Sequence, residues 1–383
     1  MRIVARDYRN GRWLDLDVCD GQIAEVRSTR ETDNLDPGDH WIAPAFWDIQ
    51  LNGRWGHSFS SPDLTVEQVA AIVRAQGVMG TARLCPTLIT APVGHLLYGL
   101  RAIAAACDAS ADVAARVLGI HLEGPFLSER DGYRGAHPAG AIRDPDWGLF
   151  QQFQEAAGGR IVLMTIAPER TGAIEFIRHA TTAGVVIAVG HTAADGATIQ
   201  AAIDAGATLS THLGNGIASE LPRHPNPIWH QAASPALMAS LIADGHHLDP
   251  ATLRVLARAK GAGQIVLVSD ASPLAGLPPG IYGEWAVDLS GKIVVAGTPY
   301  LAGSNRGLET GLQNLLTATG WTLEQAIDSV TTTPARLLGR PVPRLVPGEP
   351  GDLVIFRTPA PDGFVLERVC VNGEWETDRT AEA

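Results

Sequence analysis

The sequence predicts an α/β fold: a (β/α)8 TIM-like barrel with a small β-sandwich formed by both chain termini. Two observations carry the expectation. From Pro44 onward, short β-branched apolar runs alternate with helical patterns about eight times, the signature of βα units on a parallel sheet. The two ends read differently, as short strands separated by Asn-Gly and Asp-Gly turns. The barrel is therefore placed at 45–340 and the sandwich at 1–44 plus 341–383.

In order along the chain, "RIVARDYRNGRWLDLDVCDGQIAEVRS" supplies the first terminal strands. Eight barrel strands follow: "FWDIQL", "TARLCPTLIT", "VLGIHLEG", "RIVLMTIAPE", "GVVIAVGHT", "ATLSTHLGN", "ASLIADGHH" and "QIVLVSDAS". Between the first two, Thr65 to Val78 carries Val66, Val69 and Val73 at helical spacing. Helical patterns after Arg306 and Thr322 finish the barrel, and "GDLVIFRTPAPDGFVLERVCVNGEWE" returns to strands that pair with the N-terminal ones.

A chain of 383 residues, 45% hydrophobic and 18% charged, is long enough and apolar enough for one large barrel plus an accessory layer. No apolar run approaches the ~20 residues that cross a bilayer, and the N-terminus lacks a signal peptide's apolar core. Cys19, Cys85, Cys107 and Cys370 are scattered without paired spacing, which argues against a disulfide framework and for a cytoplasmic protein. The net charge of −12 disfavours nucleic-acid and anionic-membrane partners.

Polar residues close otherwise apolar strands: Gln50 and Asn52, His121 and Glu123, His191, His212, His246 and His247, and Asp270. In a barrel these ends meet at the C-terminal face, where active sites of the fold sit. Each residue alone is compatible with hydrogen-bonded scaffolding. Together they offer one Glu and two His from three strands, a normal donor set for a catalytic divalent ion with a position open for water. Asp270 is placed to act beside that water as a general base.

Seven stretches, "APAFWDIQLNG", "GIHLEGPFL", "AVGHT", "STHLGNG", "ADGHHL", "LVSDAS" and "LAGS", resemble in order and spacing the motifs of the amidohydrolase superfamily, and within it the N-acetylglucosamine-6-phosphate deacetylase family. The resemblance implies Glu123, His191 and His212 as ligands of one divalent metal ion, zinc first, with iron, cobalt and manganese fitting the same donors. It makes Asp270 the residue that activates water and then protonates the amine, and His247 the group that helps polarise the amide carbonyl. It further implies substrate contacts from Ala136, His137, Asn215, Gly216, His247, Leu301, Ala302 and Gly303, and from Arg223 reaching the sugar phosphate of a neighbouring subunit in a homodimer. His246 has no counterpart in the family and is expected to support the site from behind.

Gln50 and Asn52 stand where the wider superfamily places His-x-His for a second metal, and amides are poor ligands for zinc-like ions. The fourth strand lacks the lysine that bridges two-metal relatives; Lys260 and Lys292, the only lysines, lie elsewhere. The implied partner is a small N-acetylated, phosphorylated amino sugar. Gly214, the run His224-Pro225-Asn226-Pro227, and Arg54, Trp55 and His57 depart from the family at the expected place of the substrate's far end. Another amino sugar, phosphorylated or not, and an N-acyl amino acid remain alternatives, as does a non-catalytic scaffold.

Overall fold

The computed structural model describes residues 1–29, 40–358 and 363–378. Its centre is eight parallel strands, β1 (Phe46–Leu51), β2 (Thr81–Ile89), β3 (Ile120–Glu123), β4 (Ile161–Ile166), β5 (Val186–Val189), β6 (Leu209–Ser210), β7 (Met238–Leu241) and β8 (Ile265–Leu267), hydrogen-bonded in chain order. All eight runs expected from the sequence form these strands. Just past β8, Asp270 N–H donates to Gln50 O at 2.9 Å and Asn52 N–H donates to Ala271 O at 2.9 Å, closing the ring.

Helices cover the outside of the barrel. Val66–Ala75 starts at Thr65, whose hydroxyl accepts from the Gln68 N–H while the Gln68 side chain accepts from the Thr65 N–H, so two orphan donors of the first turn are satisfied together. Its buried stripe is Val69, Ile72 and Val73. The helix ends at Ala75, earlier than its apolar period suggests; a tight 3-10 turn at Gly77–Met79 then leads to Gly80, whose φ of 87° suits glycine. The two late helices are Leu308–Thr319 and Leu323–Asp328, the second capped by Thr322 and Gln325 in the same reciprocal way.

Inside the barrel the floor is apolar, with Ile49, Cys85, Leu163, Ala188, Val266 and Val268 in one cluster. Above it lies a polar layer: His121 Nε2 meets Thr165 Oγ1 at 2.8 Å, which meets Thr211 Oγ1 at 2.8 Å. Irregular pairing between Asp48 and Leu51 lets Ile49 join the floor while Gln50 and Asn52 turn toward the barrel mouth, the re-aiming that an extra strand residue permits beside a site.

The terminal strands form one seven-stranded sheet in the order Glu374–Asp378, Val365–Val371, Leu353–Arg357, His40–Pro44, Arg2–Asp7, Trp13–Cys19, Gln22–Ser28. The sheet curls on itself, so that the start of its Gln22–Ser28 edge meets the segment leading into Leu353–Arg357: Ile23 N–H donates to Glu349 O at 2.9 Å, and Gly351 N–H to Gly21 O at 2.8 Å. The inner face encloses Ile3, Leu16, Val18, Ile42, Leu353 and Cys370, and this folded sheet is the two-layered unit expected of the termini. Its other face, through Ala43, Val354, Phe356 and Val369, packs with Phe46 and Leu267 of the barrel.

Lys260 ends the helix Pro250–Lys260 with a 9% exposed side chain whose ammonium donates to Gln231 O, Ser234 O and Leu237 O at 2.7, 2.7 and 2.6 Å. Replacement by methionine keeps the apolar stem and strips three carbonyls of their donor, a loss of about 1–3 kcal/mol. The Lys260→Met protein is expected to unfold at a lower temperature in a thermal melt. Because the residue lies away from the barrel mouth, turnover of the folded protein should stay at the wild-type value.

Candidate functional site

The strand ends converge as the sequence leads one to expect. Glu123 closes β3, while His191, His212 and Asp270 follow β5, β6 and β8 by two or three residues. These last three share a signature: φ is 48° at His191, 30° at His212 and 47° at Asp270, three of the six non-glycine residues with positive φ among the described residues. Such backbone costs about 1–3 kcal/mol per residue and persists where surrounding structure imposes it, commonly at functional sites. Here it turns three side chains inward just as their strands stop.

The inward groups meet closely. Glu123 Oε1 lies 2.9 Å from His212 Nε2 and 3.3 Å from His191 Nε2, and the two imidazole nitrogens are 3.1 Å apart. These three are the group of ligand-type side chains among the described residues whose donor atoms all lie within 4.8 Å of one another. His191 Nδ1 sits 2.9 Å from the Tyr133 carbonyl, which can only accept, so the proton belongs on Nδ1 and the Nε2 lone pair faces the cluster. Holding the outer nitrogen this way is what a metal-binding histidine needs. One carboxylate oxygen and two imidazole nitrogens in a buried triangle fit a divalent ion.

Asp270 stands beside this triangle. Asn52 Nδ2 donates to its Oδ1 at 2.7 Å, and Gln50 Nε2 lies 3.1 Å from both Asp270 Oδ1 and Glu123 Oε1. Burial alone would raise the Glu123 pKa, but the adjoining His191 and His212 imidazoles hold it well below its ordinary value. Asp270 accepts no hydrogen bond from either imidazole; burial, then the nearby Glu123 charge, push it up to about 6 against the weaker opposing pull of His212 and His247. A cation held by the triangle would draw it down again. His121 belongs to the layer beneath, buried and pushed down to about 4, and contributes to none of these contacts.

Above the triangle opens a cavity of about 220 Å³, lined by all the residues expected to bind substrate from this chain: Ala136, His137, Asn215, Gly216, His247, and Leu301 with Ala302 and Gly303. His137 meets the His191 ring edge to face at 4.3 Å, and burial followed by the neighbouring imidazole pushes its pKa down to about 3. Arg223 lies outside this cavity on an exposed loop. Of the departures noted in the sequence, only Gly214 lines the cavity; Arg54 instead lies over the Trp55 ring at 5.1 Å, and neither they nor His57 reach the lining. Within this chain's own cavity only Gly214 meets that expectation: the short antiparallel pair Gly53–Arg54 and His57–Ser58 carries Arg54, Trp55 and His57 past the mouth, and the run His224-Pro225-Asn226-Pro227 stays off the lining.

Two features escape the sequence reading. A three-stranded antiparallel insert, Gly280–Tyr282, Trp285–Val287 and Ile293–Val295, packs over Leu274 and Ala302 and brings Trp285 to the cavity wall, with Pro299 and Tyr300 just beyond it. Its strands are too short to show a period. The second is Asp244, whose Oδ2 lies 2.9 Å from His247 Nδ1; the three-residue spacing within "ADGHHL" is the signal that could have revealed it. His246 contributes a backbone N–H to Asp244 and does not line the cavity.

The family model of the amidohydrolase family matches residues 41–375. The chain belongs to the amidohydrolase family. N-acetylglucosamine-6-phosphate deacetylase from Bos taurus is 36% identical over 342 residues, spanning 86% of this chain and 81% of the relative. N-acetylgalactosamine-6-phosphate deacetylase from Escherichia coli O157:H7 is 30% identical over 94% of this chain and 95% of its own length. Among solved structures, a variant N-acetyl-D-glucosamine-6-phosphate deacetylase from Mycobacterium smegmatis, in complex with N-acetyl-D-glucosamine-6-phosphate, superposes with a TM-score of 0.86 at 31% identity, covering 98% of this chain and 99% of that one.

In this amidohydrolase Gly216, with φ of 59°, packs against His191 so closely that a Cβ there would lie 2.8 Å from Nδ1. Gly216→Ala must therefore push the His191 ring off its Tyr133 anchor. Support of this kind is worth about 10–100-fold in metal affinity. Weaker retention of a divalent ion against a chelator, measured by equilibrium dialysis beside the wild type, is the expected result.

Proposed function

We propose that this amidohydrolase removes the acetyl group of N-acetylglucosamine-6-phosphate, yielding glucosamine-6-phosphate and acetate. The observation that carries the reading is that Glu123, His191, His212, His247 and Asp270 face one cavity whose relatives act on this sugar phosphate.

In this reading Glu123, His191 and His212 hold a single divalent ion, zinc first among the candidates. When bound, such an ion acidifies a water and polarises a carbonyl. Asp270, held by Asn52 and Gln50 through one carboxylate oxygen, accepts the proton as water attacks the amide carbon, and returns it to the nitrogen as the C–N bond breaks. His247 faces the carbonyl oxygen, where negative charge develops. Leu301, Ala302 and Gly303, Asn215 and Gly216, and Ala136 with His137 flank the sugar.

Arg223, exposed and outside its own chain's cavity, serves the neighbouring subunit's phosphate in a homodimer, because a guanidinium fork offers a phosphate two parallel charge-assisted hydrogen bonds. The unpaired thiols Cys19, Cys85, Cys107 and Cys370 support a cytoplasmic setting. No helix among the described residues is long and apolar enough to cross a membrane. The unit boundaries 1–44 plus 341–383 and 45–340 belong to the same proposal.

The Escherichia coli relative gives a second sugar specific weight, since galactosamine differs from glucosamine only at one hydroxyl. Acetate release from the 6-phosphates of both N-acetyl sugars, and from N-acetylglucosamine itself, separates the readings. Fastest turnover of N-acetylglucosamine-6-phosphate is expected, with Asp270→Asn slower by at least ~10²–10⁴-fold. Arg223→Ala should raise KM for the phosphorylated sugar alone. Equal turnover with and without phosphate would remove Arg223 from the site.

A further inference from the structure

Asp244 stands at the end of β7 in a position that no turnover step yet uses. Its Oδ1 accepts the backbone N–H of His246 at 2.8 Å and of His247 at 2.9 Å, while Oδ2 faces His247 Nδ1 at 2.9 Å. Both side chains are almost sealed, 4% exposed for Asp244 and 5% for His247. The turn is built for this: Gly245 has φ of 83°, and the preceding carbonyl, Ala243 O, accepts from Asn314 Nδ2 at 2.7 Å on the helix Leu308–Thr319. Burial would raise the Asp244 carboxyl, but His247 and the two backbone donors hold it well below its ordinary range. A carboxylate ringed by three N–H donors accepts and does not donate, so the proton lies on His247 Nδ1 and Nε2 is the atom presented to the cavity.

A neutral imidazole protonated on Nδ1 has only a lone pair at Nε2, which would repel a carbonyl oxygen gaining negative charge. Donation from Nε2 requires protons on both nitrogens, hence a cation. That cation needs a buried anion behind it, and Asp244 is the anion in contact.

We propose that Asp244 is the positioning residue for His247: it fixes the ring and supplies the counter-charge that lets Nε2–H donate to the amide oxygen as negative charge builds there. The inference rests on the proposed role of His247 at the carbonyl. Its contribution belongs to the transition state rather than to sugar binding, because the oxygen gains most of its charge only during attack.

The metal-loaded enzyme tests this as Asp244→Asn, His247→Ala and the double variant, assayed on N-acetylglucosamine-6-phosphate. Asparagine keeps an oxygen for the two backbone donors, so the turn survives, but it carries no charge. Expected for Asp244→Asn is a fall in kcat of ~10²–10³-fold, the usual loss when one oxyanion donor is removed. KM and bound metal should stay within a few-fold of wild type. A phosphonamidate analogue of the tetrahedral state should lose affinity in proportion to kcat/KM, and the double variant should be no slower than His247→Ala alone. Wild-type kcat in Asp244→Asn, losses that multiply in the double variant, or an effect confined to KM would each overturn the proposal. If His247→Ala itself keeps full kcat, the His247 assignment fails first and Asp244 falls with it; if only Asp244→Asn keeps full kcat, His247 stands without its partner.

Discussion

Two backbone hydrogen bonds, Asp270 N–H to Gln50 O and Asn52 N–H to Ala271 O, decide much of what this molecule can do. They close the barrel between its first and last strands. They also bring the Gln50 and Asn52 side chains against Asp270, and Gln50 onward to Glu123 of the third strand. A sheet left open there would keep its eight strands and lose the site, because the proposed base would no longer stand beside the proposed ligands. Barrel closure and site assembly are the same event.

The floor of the barrel explains why the top can carry so much charge. An apolar cluster around Ile49, Leu163 and Val268 is roofed by the His121, Thr165 and Thr211 layer, whose hydrogen bonds are satisfied internally. Above that roof, Glu123 and Asp270 are buried carboxyl groups a few ångströms apart with opposite shifts. Glu123 is drawn down by two imidazoles in contact with it, while Asp270, hydrogen-bonded to amides and with His212 and His247 too weak to offset burial and the Glu123 charge, is pushed up to about 6. Two carboxyl groups in unlike surroundings can hold unlike jobs, one as an anionic ligand and one as a proton carrier.

Much of this was legible in the sequence because barrel geometry converts strand order into spatial convergence. Eight apolar runs gave eight strands, and a polar residue at the end of a run marked a group at the mouth. The reading fell short wherever direction depends on more than order. His121 shares its strand with Glu123 yet points one layer lower, since alternate inward residues stack along the barrel axis. Arg54, Trp55 and His57 follow Asn52 closely and still turn away, because a two-residue strand pair redirects the chain. The insert with Trp285 hides in strands of three residues. Asp244 was in plain view in "ADGHHL", but a lone acid before a histidine gains meaning only when both are buried in contact.

The Gln50–Asn52 pair can now be understood by what its amides touch. Glu123 Oε1 and Asp270 Oδ1 both lie 3.1 Å from Gln50 Nε2, so one NH2 group donates to two carboxylates at once. Only the nitrogen end of the amide fits there, because its carbonyl oxygen would repel both acceptors. A second cation, coordinated by histidines at these positions, would screen the same two carboxylates. Gln50 does so with partial charges and without a metal, and Asn52 adds a further donor to Asp270 at 2.7 Å. With those oxygens occupied by N–H donors, the place for a second ion is chemically filled, which supports the single-ion reading. It also leaves Asp270 Oδ2 as the oxygen available to exchange a proton, on a carboxylate that cannot rotate without breaking both amide contacts.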